Sequence, residues 1–322
     1  MNSLLERKTD HTDTAIVDIH NRTFKKLRIS LTSACNFSCK YCVSSKNMKV
    51  ERSNYVAPQQ ILHWVQSIQR VTPLDAVRLT GGEPSLYRDL PELIKRLKEA
   101  GIPQVGMTTN GSLLNVQAGQ LAAAGLDSVN ISLDAVNEQE YKRMGGRRYL
   151  QVQSSLQTAL EAGLNVKINA TILQNINDNQ IIPLLELAMR HNIIIRFLEL
   201  MPMGYLFGSK DELLVSADDI LKIISNKYSF TALPREKSST SNYYKLSGGS
   251  VFGIIGNHST PFCRDCDRLR LDTKGNVYGC LSNEKGIALD SDKTRDALQL
   301  AMEQKQIDRF SGSSLSMRYI GG

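Results

Sequence analysis

From about residue 25 onward, short apolar runs rich in β-branched residues alternate with longer stretches whose apolar positions recur at helical spacing. Residues 27–32 (LRISLT), 76–80 (AVRLT), 104–109 (QVGMTT), 128–133 (SVNISL), 166–172 (VKINATI) and 193–200 (IIIRFLEL) read as strands. Residues 59–70, 90–100, 117–124, 151–162 and 179–190 read as the helices between them. In the first, Ile61, Val65 and Ile68 fall at i, i+4 and i+7 and make one apolar face. Gly101, Gly125 and Gly163 each follow a helical run, where a C′ glycine belongs. Six βα repeats predict an α/β fold with a parallel sheet and right-handed crossovers, either doubly wound or a partial barrel, six units being too few for a complete eightfold one. In both, ligands sit at the carboxyl ends of the strands. Polar words collect there: TSACN, TGGEP, TTNG, SLD and ELMPMG follow the first, second, third, fourth and sixth strands.

The rhythm divides the chain into three. Residues 1–24 are polar and expected to be loosely ordered, residues 25–212 carry the βα repeat, and residues 213–322 break it. This last segment opens with a helix near 216–225 and continues through the polar stretch PREKSSTSNYYKLSGGS. With 322 residues, 41% hydrophobic and 22% charged, the chain has the composition of a soluble globular protein able to bury a real core. Its net charge of +7 favours an anionic partner: a nucleotide, a nucleic acid or an anionic membrane surface. The start, MNSLLERKTDHTDTAIVD, has no apolar leader, and no run approaches the roughly 18 apolar residues of a membrane span. A cytoplasmic protein is expected, with its cysteines reduced unless they bind metal.

The six cysteines fall into two triplets. Cys35, Cys39 and Cys42 are spaced C-x3-C-x2-C in the loop after the first strand, and Cys263, Cys266 and Cys280 are spaced C-x2-C-x13-C. A structural zinc site wants a fourth ligand, which His20 or His63 would supply to the first triplet and His258 to the second. An iron–sulfur cluster also uses grouped thiolates, and with three of them a four-iron cluster keeps one iron open. Arg268 and Arg270, two apart, leave one face of an extended segment. Beside cysteines they suggest a phosphate clamp; alone, RLR would be a solvated charged strand. The five histidines form no motif.

Cys35-x3-Cys39-x2-Cys42, with Tyr41 before the last cysteine, resembles the signature of the radical S-adenosylmethionine enzymes, and Gly81-Gly82-Glu83-Pro84 is similar to their GGEP motif. The resemblance implies a partial (β/α)6 barrel of TIM type. It also implies a [4Fe-4S] cluster whose open iron holds S-adenosylmethionine, the source of a 5′-deoxyadenosyl radical. FCRDCDRLRLDTKGNVYGCL, VDIHNRTFKKLRISLT and the terminal Gly321-Gly322 are similar to the GTP 3′,8-cyclase family of molybdenum cofactor biosynthesis. That resemblance implies a second [4Fe-4S] cluster on Cys263, Cys266 and Cys280, with GTP held between the clusters. By motif position, Arg28, Arg78, Thr109, Lys167, Arg196, Arg268 and Arg270 would bind GTP. Tyr41, Gly81, Gly82, Glu83, Ser132 and Met201 would bind S-adenosylmethionine. Arg268, Arg270 and the Gly321-Gly322 tail would support catalysis. The implied reaction removes the ribose 3′ hydrogen, joins C3′ to guanine C8 and yields 3′,8-cyclo-7,8-dihydro-GTP. The implied partners are an electron donor such as flavodoxin or ferredoxin and a downstream cyclic pyranopterin synthase. A homodimer is open to it, and neither membrane nor nucleic acid is expected.

Several positions depart from the family pattern. Ala76 stands where a lysine is common, Ser33-Ala34 replaces Asp-Arg, Val43-Ser44 replaces Met-Pro, and Asp267 replaces Asn. The tail before RYIGG lacks the usual histidine–phenylalanine segment. These leave open a paralogous radical enzyme with an auxiliary cluster that acts on another nucleotide or a peptide. A zinc-bearing nucleic-acid-binding protein is the third possibility, and it would leave TGGEP, TTNG and SLD unexplained.

Overall fold

The structure, a computed structural model, describes residues 16–44, 55–209 and 211–321. Gly322 lies outside the described residues, so the terminal pair is represented by Gly321 alone. Six parallel strands form the expected repeat: β1 (Lys26–Ser30), β2 (Ala76–Thr80), β3 (Gln104–Thr109), β4 (Ser128–Ser132), β5 (Asn165–Thr171) and β6 (Ile194–Leu198). The helices between them are α1 (Pro58–Gln69), α2 (Leu90–Glu99), α3 (Leu114–Ala123), α4 (Glu138–Arg143), α5 (Tyr149–Glu161) and α6 (Ile181–Arg190). The short α4 has no counterpart in the sequence reading: six residues are too few to show helical periodicity. It is built on a local cap, with the Asn137 side chain accepting from the Glu140 N–H.

Each strand reads differently on its two faces. Leu27 and Ile29, Val77 and Leu79, Val129 and Ile131, and Ile195 and Phe197 are buried in one core with Ile61, Val65, Leu93 and Leu97 of the helices. Each fully buried aliphatic side chain contributes roughly 1.5–3 kcal/mol. That outer layer tolerates a polar interior. The alternate positions, among them Arg28, Arg78, Thr108, Asn130, Asn169 and Arg196, line a cavity inside the sheet.

The remaining strands are β7 (Phe230–Ala232), β8 (Asn242–Leu246), β9 (Val251–Ile255), β10 (Arg268–Leu271), β11 (Asn276–Tyr278) and β12 (Ile287–Ala288). The remaining helices are α7 (Ala217–Ser225), α8 (Thr294–Glu303) and α9 (Met317–Ile320). These strands extend the same sheet at both edges, giving twelve in the order β12-β11-β10-β1-β2-β3-β4-β5-β6-β9-β8-β7. β9 runs parallel to β6, with Arg196 opposite Gly253, and β10 runs parallel to β1, with Arg28 opposite Arg270. Two strands from beyond residue 212 thus take the places next to the six-stranded repeat, and the sheet stays open between β9 and β10.

Residues 16–24 are packed rather than loose. Ile16 and Phe24 are buried, and the buried Asp18 and Arg22 pair at 2.5 Å. Among the described residues, no helix is long and apolar enough to cross a membrane.

Candidate functional site

The cavity has a volume of about 510 Å³, within the usual range for a small-molecule site. Both cysteine triplets open into it, from opposite ends. The first follows the carboxyl end of β1. Cys266 lies two residues before the start of β10, whose Arg268 is in register with Lys26 at the start of β1. Antiparallel β11 then returns Cys280 to that same amino-terminal end. The expectation that ligands gather at the carboxyl ends therefore describes only the first triplet.

The first triplet's loop is held by close backbone approaches. Ser38 and Lys40 donate their N–H groups to Gly145 O (3.2 Å) and Met144 O (3.1 Å). Glu83 N donates to Ala34 O at 2.8 Å, and a Cβ on Gly82 would lie 2.2 Å from that same oxygen, so the GGEP word needs a glycine there. Glu83 is buried and accepts from Thr109 Oγ1 (2.6 Å), Asn110 N (2.7 Å) and Ser85 N (3.0 Å). Burial raises its carboxyl above the usual range despite these bonds. Tyr41 donates its hydroxyl to Asp134 at 3.0 Å, and burial pushes the Asp134 carboxyl up to about 7. Burial also raises the Cys35, Cys39 and Cys42 thiols. Gly81, Ser132 and Met201 line the same end of the cavity as these cysteines.

At the other end, burial pushes the Cys263 thiol up to about 11. Burial also acts upward on Cys266, but Lys305 and Arg268 outweigh it and its thiol is lowered overall. Arg268 donates to Ser238 O, and its other terminal nitrogen lies 3.9 Å from Cys266 Sγ. Among the described residues neither triplet gains a histidine. His20, His63 and His258 are exposed, and no histidine is among the described residues lining the cavity. No three Cys, His, Asp or Glu side chains among the described residues converge on a single-ion position. A cluster distributes its three thiolates over three irons and leaves the fourth iron to an outside ligand. Two three-thiol sets facing one cavity fit that donor chemistry.

Between the triplets the lining is strongly basic. Lys26, Arg28, Arg78, Arg196, Arg268, Arg270, Lys305 and Arg318 face one carboxylate, Glu83, which is already hydrogen-bonded. Burial, then repulsion from neighbouring guanidinium groups, pushes Arg28 well below the usual arginine range. Arg78 and Arg270 are pushed down to about 10, chiefly by burial. Such a site attracts an anion that restores balance. Arg78 donates to Met107 O (3.1 Å) and Ser128 Oγ (3.4 Å). Lys167 is not in the lining; its Nζ lies 5.9 Å from the ring centroid of Tyr243, which is. Arg270 donates to the carbonyl oxygens of Ile320 (3.4 Å) and Gly321, and Met317 and Arg318 of the same tail line the cavity.

Two departures meet at the rim. Lys26 is in register with Ala76 and ion-pairs with Asp267 at 2.8 Å. Asp134, Asn110, Gly106, Tyr243, Lys305 and Arg318 belong to the site without having been singled out. The first two sit inside SLD and TTNG and Arg318 opens RYIGG; Gly106, Tyr243 and Lys305 carry no sequence signal, because the residues they meet are distant in the chain.

Residues 29–188 match the family model of the radical SAM superfamily, and residues 193–318 match that of Molybdenum Cofactor Synthesis C. Among curated relatives, a GTP 3′,8-cyclase of Synechocystis is 32% identical over 311 residues, covering 95% of each chain. One of Campylobacter curvus is 36% identical over 279 residues, covering 85% of each. Among solved structures, Streptococcus suis SuiB bound to its precursor peptide SuiA has a TM-score of 0.67 at 16% identity, covering 90% of this chain and 69% of that one. It shares the fold.

Proposed function

The chain belongs to the radical SAM superfamily and, within it, to the GTP 3′,8-cyclase family; it is an enzyme of that class, and from this premise we propose that it converts GTP to 3′,8-cyclo-7,8-dihydro-GTP. The observation that carries the proposal is the single basic cavity entered by one cysteine triplet at each end. A nucleoside triphosphate suits it, because the anion must lie among the guanidinium groups while the base and the ribose reach towards opposite ends.

In this reading Cys35, Cys39 and Cys42 hold one [4Fe-4S] cluster, and Cys263, Cys266 and Cys280 a second. With S-adenosylmethionine bound, the group held by Cys35, Cys39 and Cys42 would supply the radical chemistry that removes the ribose 3′ hydrogen. The chain's own residues bind and orient. Tyr41, Gly81, Gly82, Glu83, Ser132 and Met201 form the wall for S-adenosylmethionine. Glu83 is fixed by its three hydrogen bonds, so it shapes that wall without moving. Arg28, Arg78, Arg196, Arg268 and Arg270 hold the triphosphate, Thr109 is a further GTP-binding position, and Lys167 acts through Tyr243. Each charge-assisted contact contributes about 1.5–3 kcal/mol. The Gly321-Gly322 tail supports catalysis, Gly321 orienting Arg270 through its carbonyl. An electron donor such as flavodoxin or ferredoxin, a downstream cyclic pyranopterin synthase and a cytoplasmic location complete the proposal.

Anaerobic protein reconstituted with iron and sulfide, then given dithionite, S-adenosylmethionine and GTP, is expected to form 5′-deoxyadenosine in step with GTP loss. Protein that binds no iron, or forms 5′-deoxyadenosine while GTP is untouched, would overturn it. Ala76 favours a second reading, a different nucleotide as substrate, and the same assay with other nucleoside triphosphates separates the two.

A further inference from the structure

Among the described residues, the lysine and arginine residues that are buried as whole residues are Arg22 (6% exposed) and Lys305 (8% exposed). They lie side by side. Arg22 donates to the carbonyl oxygens of Cys263 (2.6 Å), Gln306 (2.7 Å) and Lys305 (3.3 Å), and it has its counter-ion in Asp18. Lys305 differs. Its Nζ donates to Arg268 O (2.7 Å) and Gly279 O (3.4 Å) and lies 3.4 Å from Cys266 Sγ, while among the described residues no carboxylate pairs with it. Carbonyl dipoles ease the burial of an ammonium but do not neutralise it. The nearby side-chain group that would carry negative charge, as a metal-bound thiolate, is Cys266 Sγ.

We propose that Lys305 is the charge partner of the second cysteine triplet: it donates a hydrogen bond to the Cys266 sulfur and raises the reduction potential of the iron–sulfur group held there, with Arg22 as the residue that positions it. This rests on the reading that Cys263, Cys266 and Cys280 carry such a group. The physical argument is Coulombic. A cluster on three thiolates gains negative charge on reduction. A positive charge against a ligand sulfur, screened little by water, favours the reduced state, and hydrogen bonds to cluster sulfurs act in the same direction. Arg22 fixes both sides of the contact, the cysteine loop at Cys263 O and the lysine's own backbone at Lys305 O. A strut that only joined β10 to β11 would need the two carbonyl contacts and not the sulfur.

The test uses the full chain with Cys35, Cys39 and Cys42 changed to alanine, so that iron loads only at the second triplet. After anaerobic reconstitution, iron content, the electron paramagnetic resonance spectrum of the reduced protein and its midpoint potential are measured for this parent, for Lys305→Met and for Lys305→Arg. The expected result is a more negative midpoint and an altered spectrum for Lys305→Met, with Lys305→Arg close to the parent. Arg22→Lys should shift the midpoint in the direction of Lys305→Met, by less. A Lys305→Met protein that folds and stays empty while Lys305→Arg loads also supports the charge role. Loaded Lys305→Met with the parent's midpoint and spectrum overturns the inference and leaves the cluster reading intact. Loss of iron from both variants overturns it too, because charge is then not what the site requires. A parent that binds no iron overturns the cluster reading itself.

Discussion

Arg78 reaches its place in the cavity by lying across a position that has no side chain. On the neighbouring strand β3, a Cβ at Gly106 would come within 2.7 Å of the Arg78 guanidinium carbon and of Ser128 Oγ, its partner. Gly106→Ala should therefore expel the guanidinium from its seat while leaving the strand paired. The expected outcome is the loss of about one charge-assisted contact, about 1.5–3 kcal/mol, or roughly ten- to hundredfold weaker GTP binding. Equilibrium binding of GTP checks this, with the urea midpoint as the control for folding. Unchanged affinity would show that Arg78 is not a substrate contact. The arginines were legible in the sequence because each sits in a motif word. Gly106 was legible only as a letter in QVGMTT. What makes it necessary is the arginine opposite it on β2, a register that no single strand specifies.

The loop of residues 233–241, between β7 and β8, falls largely in what reads in the sequence as the polar stretch PREKSSTSNYYKLSGGS. In the structure it is a strap across the second triplet. Arg235 grips Asp265 through both terminal nitrogens (2.9 and 2.8 Å), Ser238 N donates to Asp265 at 2.8 Å, and Ser238, Ser239 and Thr240 line the cavity. The grip is partly exposed, so breaking it should change global stability by no more than about 1 kcal/mol. Its effect is local. Arg235→Ala is expected to speed tryptic cleavage within residues 233–241 severalfold while the urea midpoint stays near that of the parent. Equal cleavage rates would mean that the loop is held by something other than this ion pair. The six repeat strands and the repeat helices other than α4, by contrast, were read to within a few residues, because each carries its own period. The strands after residue 212 were not. β9 and β10 are short and take their places from β6 and β1, distant in the chain.

At the scale of the whole molecule, the carboxyl-terminal tail joins the two ends of the site. Arg318 donates to Phe37 O in the first cysteine loop at 3.0 Å, while Arg270, on the strand that follows Cys266, donates to Ile320 O and Gly321 O. Ile320 packs with Met203 and Tyr278 in a small core of its own. A chain ending at Ile320 keeps that packing and loses only the terminal glycines. Its melting temperature should fall by a few degrees at most, while product formation drops at least about tenfold, since Arg270 loses the Gly321 carbonyl and one hydrogen bond to a charged group is worth about 1.5–3 kcal/mol. Parallel assays of melting and of product decide it; full activity would rule the tail out of catalysis. The sequence alone determined the candidate chemistry and the repeat: two three-cysteine groups, an arginine-rich set of strand positions, and six βα units in series. These are local properties, written in spacing and period. Only the tertiary structure decided that the two cysteine groups face one cavity from opposite ends, that β9 and β10 flank the repeat, and that Lys305 and Arg22 support the second group. Such contacts join residues up to 284 positions apart, and their partners are chosen by register and packing across the sheet, which short-range pattern does not encode.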